Sequence, residues 1–178
     1  MPLTKIKSLG ITDGTITGDD INSTFNLTGK TVTLPAGTGG KVLQVVTASA
    51  GAVNITSTTD VTTNITASIT PSSTSNKILI LITSVINFTA TSRANDFCGV
   101  NLKRGATSIL GGGNNDFASI YSLSLHTINY PVAISYIDSP STTSSTTYEL
   151  FSRIQTSGEA VYWNGGIGGR ITLFEIAN

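Results

Sequence analysis

The sequence predicts an all-β protein: an antiparallel β-sandwich of jelly-roll type, residues 41–178, preceded by an extended N-terminal arm and hinge, residues 1–40. Three observations carry this. Thr occurs 29 times and Ile 20 times among 178 residues, a bias toward β-branched side chains that suits the pleated surface of a strand. No stretch sustains a helical period for more than about two turns. Past residue 40, apolar runs recur at the regular short spacing of a sandwich, separated by Gly, Pro, Asn, Asp and Ser.

Lys77-Ile-Leu-Ile-Leu-Ile-Thr-Ser-Val-Ile-Asn-Phe88 is the run around which the rest is organised. A half-buried strand alternates in polarity, whereas Ile78 to Ile82 are five consecutive apolar residues. That run is too short to cross a membrane. Pro71-Ser-Ser-Thr-Ser-Asn76 leads into it with turn chemistry. It reads as a central strand covered on both faces, with Ile78, Ile80, Ile82, Ile86 and Phe88 in the interior. Leu79, Leu81 and Val85 then need a second cover, and another copy of the chain is the expected source. That expectation makes the protein a homotrimer with these three residues at the subunit contact.

In chain order, residues 1–40 come first, with single apolar residues set far apart (Leu9, Ile11, Ile16, Ile21, Leu27, Val32, Leu34) among Gly and Asp turns. Such a segment builds no core of its own. Its composition alone suits a disordered tail; we read it as an arm that orders by packing on other chains. Pro35-Ala-Gly-Thr-Gly-Gly40 follows as a flexible joint. Strands are then expected at Val42–Ala48, Val53–Ser57 and around Val61, Ile65, Ala67 and Ile69, followed by the central run. Phe97–Lys103, Ser108–Leu110 and Phe117–Leu123 come next. Ile128, Tyr130, Val132, Ile134 and Tyr136 alternate with small or polar residues, and Pro131 on the outward set places that strand at an edge or a bulge, because proline cannot donate to a ladder. Asp138 to Ser145 is a turn; Thr146–Gln155, Ala160–Asn164 and Arg170–Ala177 complete the set of strands, joined by loops that fit a jelly roll.

Composition also limits function. Ten basic and ten acidic residues cancel and charged residues are 11% of the chain, so neither nucleic acid nor an anionic membrane is an expected partner. Cys98 is the only cysteine and His126 the only histidine, which leaves no intrachain disulfide, no usual zinc set and no His-based triad. No catalytic residue, metal or cofactor is expected. The first seven residues hold no apolar signal core, so synthesis in a cytosol is expected, and the five Asn-x-Ser/Thr sequons at Asn22, Asn26, Asn54, Asn64 and Asn87 are read as chance products of an Asn- and Thr-rich chain.

Two loops are candidates for ligand binding. Gly111-Gly-Gly-Asn-Asn-Asp116 lacks the Gly-Lys-Ser/Thr ending of a phosphate loop, but Asn114, Asn115 and Asp116 offer polar groups. Tyr162-Trp163-Asn164-Gly-Gly166 sets aromatic faces beside an amide on a glycine turn, the combination of apolar stacking and polar anchoring that suits a sugar. Against that stands packing, the commoner role of a lone Trp in a small β domain.

Five stretches, Ile69-Thr-Pro-Ser-Ser-Thr-Ser-Asn-Lys-Ile-Leu-Ile80, Leu102-Lys-Arg-Gly-Ala-Thr107, Tyr136-Ile-Asp-Ser-Pro-Ser-Thr-Thr143 with Thr147-Tyr148, and Ile171-Thr-Leu-Phe-Glu-Ile176, make residues 41–178 resemble the C-terminal domain found in structural proteins of tailed phages, especially marine and cyanobacterial ones. Leu3-Thr-Lys-Ile-Lys-Ser-Leu-Gly-Ile11 with Asp13-Gly-Thr-Ile16 is similar to the N-terminal anchoring segment of such fibre proteins. The resemblance implies a non-enzymatic virion protein released by lysis, a short trimeric tail fibre or adhesin. It implies docking on other virion proteins through residues 1–40 and loops turned toward host-surface glycan. The alternative it leaves open is a capsid decoration or head-fibre protein with no receptor role.

Overall fold

A computed structural model describes residues 41–90, 96–112, 117–120, 126–166 and 168–177, all within the compact unit Gly39–Asn178. These residues form eleven strands and no helix. They are β1 (Val42–Ala50), β2 (Val53–Ile55), β3 (Val61–Ile69), β4 (Lys77–Ala90), β5 (Asp96–Arg104), β6 (Thr107–Gly111), β7 (Ala118–Ile120), β8 (His126–Asp138), β9 (Thr146–Ile154), β10 (Ala160–Trp163) and β11 (Gly169–Ile176).

Every pairing between these strands is antiparallel. In the first sheet β4 is paired along one edge by β8 and along the other by β11 and β10 placed end to end. β1 lies beyond β11 and β2 beyond β10. The second sheet repeats the device, with β5 paired by β9 on one edge and by β7 and β6 in tandem on the other, and with β3 beyond β9. Setting the short β2 and β10 aside, the orders β1-β11-β4-β8 and β3-β9-β5-β6 are those of a jelly roll. The chain changes sheet at six of the ten connections, and its first and last strands lie side by side. The expected fold class is therefore observed. Each of the eleven segments expected from the sequence contains a strand, and β4 and β5, with 14 and 9 residues, are long enough to take two short partners each.

Alternation decides which side chains meet in the middle. Ile78, Ile80, Ile82, Ile86 and Phe88 of β4 are at most 1% exposed, as expected. They pack with Ile65 and Ile69 of β3, Leu102 of β5, Tyr148, Leu150 and Ile154 of β9, Val161 and Trp163 of β10, and Ile171 and Leu173 of β11. Burying each large apolar side chain contributes about 1.5–3 kcal/mol. Among the described residues β8 pairs with β4 alone, at the edge of the sheet, and Pro131 sits on it opposite Val85 with its side chain outward. That agrees with the expectation for proline.

The second cover of β4 is not supplied from within the described residues. Leu79 and Val85 are only partly buried and Leu81 is 37% exposed. A continuous row runs across the outer face of the first sheet here, Val45 opposite Phe174, Phe174 opposite Leu79, and Leu79 opposite Ile137. Val45 and Ile137 are 53% and 56% exposed. Residues 1–40, the expected arm and hinge, lie outside the described residues.

Candidate functional site

The outer face of the first sheet changes character along β4. Its early half is the apolar row just described. Its later half carries Asn87, which faces Tyr162 of β10 on one side and Asn129 of β8 on the other. All three occupy the outward phase, so the pleat places ring, amide and amide in one line, spanning about 10 Å at normal strand spacing. The Asn87 Nδ2 donates to Asn129 Oδ1 at 3.0 Å. That bond uses one donor and one acceptor of the pair, and further amide N–H groups and oxygen lone pairs remain for a ligand.

Val85, Gly165 and Gly166 complete the lining of an open cleft of about 660 Å³. Gly165 is there for a steric reason. A Cβ on it would stand 2.8 Å from Cε1 of Tyr162, so only glycine lets the turn lie flat against the ring. Tyr162 is 42% exposed, which leaves ring surface for a ligand. Among the described residues no charged side chain lines the cleft.

The two residues after Tyr162 turn inward. Trp163 is fully buried and its ring stacks on Phe117 with centroids 5.9 Å apart, so the expectation that Trp163 offers a surface for a ligand is corrected. One residue, half a strand period, separates it from Tyr162, and the phase of β10 that holds Val161 and Trp163 belongs to the core. Asn164, 3% exposed, is corrected likewise. Its Nδ2 donates to the carbonyls of Gly51 at 2.9 Å and Thr63 at 2.7 Å, and its Oδ1 accepts from Ser84 Oγ at 2.8 Å. With φ at 61°, in the left-handed region that Asn tolerates better than most residues, it ties three segments of the sandwich end together. Asn114, Asn115 and Asp116 lie outside the described residues. Of the expected subunit-contact residues, Leu79 and Leu81 fall on the apolar half of the face and Val85 lines the cleft.

Sequence reasoning missed Asn87 and Asn129. The available signal was phase: Asn87 follows Val85 on the outward set of β4, and Asn129 precedes Pro131 on the outward set of β8.

The charged side chains near the core serve other purposes. Asp60 receives Lys103 and Arg153 at 2.8 Å each and Asn101 at 2.8 Å. Burial would raise its pKa, but these hydrogen bonds and the two cations lower it. Asp138 accepts from Arg104 at 2.9 Å and from the Tyr148 hydroxyl at 2.7 Å, and burial together with that carboxylate raises the Tyr148 pKa. Glu159 is 1% exposed. Burial first, and then the neighbouring Asp96 carboxyl, push its pKa up to about 7. Among the described residues no group of three His, Cys, Asp or Glu side chains is placed to hold a metal ion. No helix among them is long and apolar enough to cross a membrane.

No protein-family model matches the chain. No curated protein matches it. Among solved structures the chain is similar to one chain in the structure of infectious bursal disease virus, Gx strain, with a TM-score of 0.36 and 12% sequence identity. The match covers 83% of this chain and 36% of the other, so this chain spans about a third of that protein's length. A likeness of that size transfers no role.

Proposed function

We propose that the chain is a non-enzymatic virion structural protein of a tailed phage, a short trimeric tail fibre or adhesin. In this reading residues 1–40 dock on other virion proteins and the jelly-roll head faces the host surface. The observation that carries the reading is the uncovered row Val45, Phe174, Leu79 and Ile137, with Leu81 one row further along β4. Monomeric proteins rarely leave contiguous apolar surface of this kind to water, and closed symmetry between identical chains covers it with no further partner. The resemblance of the five stretches in residues 69–176 supplies the phage context. Burial of Trp163 and Asn164 favours the second reading, a capsid decoration or head fibre without a receptor role, to the extent that it removes two residues from the surface.

Light scattering of the purified chain tests the assembly. A mass about three times 18.5 kDa is expected, and a stable monomer would overturn the reading. Deleting residues 1–40 is expected to leave the head folded and trimeric but absent from particles; normal incorporation of the truncated chain would remove the docking role. Loss of host-cell adsorption by particles lacking the head distinguishes an adhesin from a decoration protein.

A further inference from the structure

We infer that the cleft between β4, β8 and β10 is a binding site for an uncharged saccharide, with Tyr162 as the stacking platform and Asn87 and Asn129 as the hydroxyl-reading pair. The inference deepens the host-surface part of the proposed function, on which it rests for the source of the ligand, while its chemistry rests on the cleft alone.

Four features select this ligand class. The described lining residues carry no charge, so they offer nothing to a phosphate, a carboxylate or a basic peptide, which need ion pairing to offset their desolvation. An exposed Tyr face suits the apolar C–H face of a pyranose and keeps its hydroxyl at the wet edge. Vicinal sugar hydroxyls each donate and accept, and a pair of adjacent amides answers them with both functions. Asn87 and Asn129 are joined by their own 3.0 Å hydrogen bond, and the N–H groups and lone pairs that it does not use answer such hydroxyls. Finally, the cleft is open and lies mainly on strands β4, β8 and β10, with the Gly165-Gly166 turn at its edge, and its volume of about 660 Å³ falls within the ~300–1,000 Å³ of ordinary small-ligand sites. The register fixes all three side chains to neighbouring strands of the same sheet, so the site is preorganised and little ordering accompanies binding.

The cleft also explains Gly165. Its backbone supports the Tyr162 ring, and a methyl group there would reach the ring at 2.8 Å. Gly165→Ala therefore tilts the platform without removing any group that touches the ligand.

The test uses the full chain, ¹⁵N-labelled, titrated with methyl glycosides of glucose, galactose and mannose and with N-acetylglucosamine. Glucuronic acid and a neutral tetrapeptide serve as comparison probes. Saturable shifts of the Asn87 and Asn129 side-chain amides and of the Gly165 and Gly166 backbone amides are expected for at least one neutral sugar. The dissociation constant should be on the order of millimolar. Tyr162→Ala should weaken binding by about tenfold or more and Tyr162→Phe by much less, since stacking and not the hydroxyl holds the ring to the sugar. Gly165→Ala should also weaken it. Emission of the buried Trp163 reports whether each variant is folded. If Tyr162→Ala does not fold, Asn87→Ala and Gly165→Ala with the wild-type titration decide the matter. The inference fails if no neutral sugar produces saturable shifts at these amides. It also fails if folded Tyr162→Ala binds like wild type, or if glucuronic acid or the peptide binds the cleft more tightly than every neutral sugar. Because the isolated chain is titrated, such a failure leaves the virion reading standing, and absence of the chain from particles leaves the cleft standing.

Discussion

The carboxylate of Glu175, on the last strand, accepts a 2.6 Å hydrogen bond from the side-chain amide of Asn76, 99 residues earlier at the entry to β4. The same carboxylate takes the backbone N–H and the hydroxyl of Ser72 at 2.6 and 2.7 Å and the Gln44 amide at 2.6 Å. Glu175 is fully buried, so it serves as the post to which the Pro71–Asn76 turn and β1 are tied. A second post is Asp138, held between Arg104 and Tyr148. The two posts join the five stretches singled out in the sequence: Ile69–Ile80 meets Ile171–Ile176 at Glu175, and Leu102–Thr107, Tyr136–Thr143 and Thr147-Tyr148 meet at Asp138. Glu175→Ala leaves three partners of the carboxylate facing a void and is expected to cost about 2–3 kcal/mol. At roughly 2–4 °C per kcal/mol for a domain of this size, the loss is readable by calorimetry.

Glu175 and Glu159 give stability opposite pH dependences. Burial alone would raise the pKa of Glu175, but hydrogen bonds from Asn76, Gln44 and Ser72 outweigh it and hold the value at about 2, below the ordinary 4.5. The folded state therefore favours the carboxylate. That contribution is present above pH 4.5 and is lost as pH falls toward 2. Glu159 runs the other way, because its pKa stands at about 7 against 4.5. The folded state there favours the protonated acid, and that contribution is complete below pH 4.5 and lost as pH rises through 7. Denaturant melts from pH 2 to 8 should rise and then fall. Glu159→Gln should flatten the descending limb and make the protein more stable than wild type at pH 8, while Glu175→Gln should flatten the ascending limb.

Asn164 is expected to act on stability and not directly on ligand binding. Asn164→Ala strands the Thr63 carbonyl in a buried site, leaves the Ser84 hydroxyl with only its longer 3.3 Å bond to the Val85 carbonyl and places Ala at φ 61°, for a loss of about 2–4 kcal/mol. Asn164→Gly removes the backbone part of that cost and should recover a fraction of the loss. A denaturation midpoint unchanged in both variants would show that the three hydrogen bonds are not formed in solution.

Trp163→Ala should cost about 3–5 kcal/mol, the range for emptying a large aromatic site in a core. The indole Nε1 has no hydrogen-bond partner among the described residues, so Trp163→Phe loses volume but none of the described hydrogen bonds and should cost distinctly less than the alanine variant. Comparable losses in the two variants would mean that the indole N–H is satisfied after all.

Leu81→Asp and Ile137→Asp test the apolar half of the outer face from two strands. Neither residue contributes to the buried core, so the head should fold in both cases, with Trp163 emission unchanged. The trimer should dissociate, its mass falling toward 18.5 kDa in light scattering. A trimer that survives both substitutions would place the contact on another face.

What the sequence determined by itself is what alternation encodes. The inward set of β4, the edge position of Pro131 and the two-sheet sandwich follow from side chains that point to opposite faces at every step, a rule that acts between neighbours in the chain. Tandem pairing of β10 with β11 along β4, and of β6 with β7 along β5, was not legible, because it depends on where two strands end relative to each other on a shared partner, which for β4 lies 70 or more residues away. The cleft was half legible for the same reason. The motif Tyr162-Trp163-Asn164-Gly-Gly166 was visible as chemistry, yet only the register with β4 and β8 decided that Tyr162 faces out beside Asn87 and Asn129 while Trp163 and Asn164 face the core. Long-range pairing selects the neighbours of each outward side chain, and no local pattern contains that information.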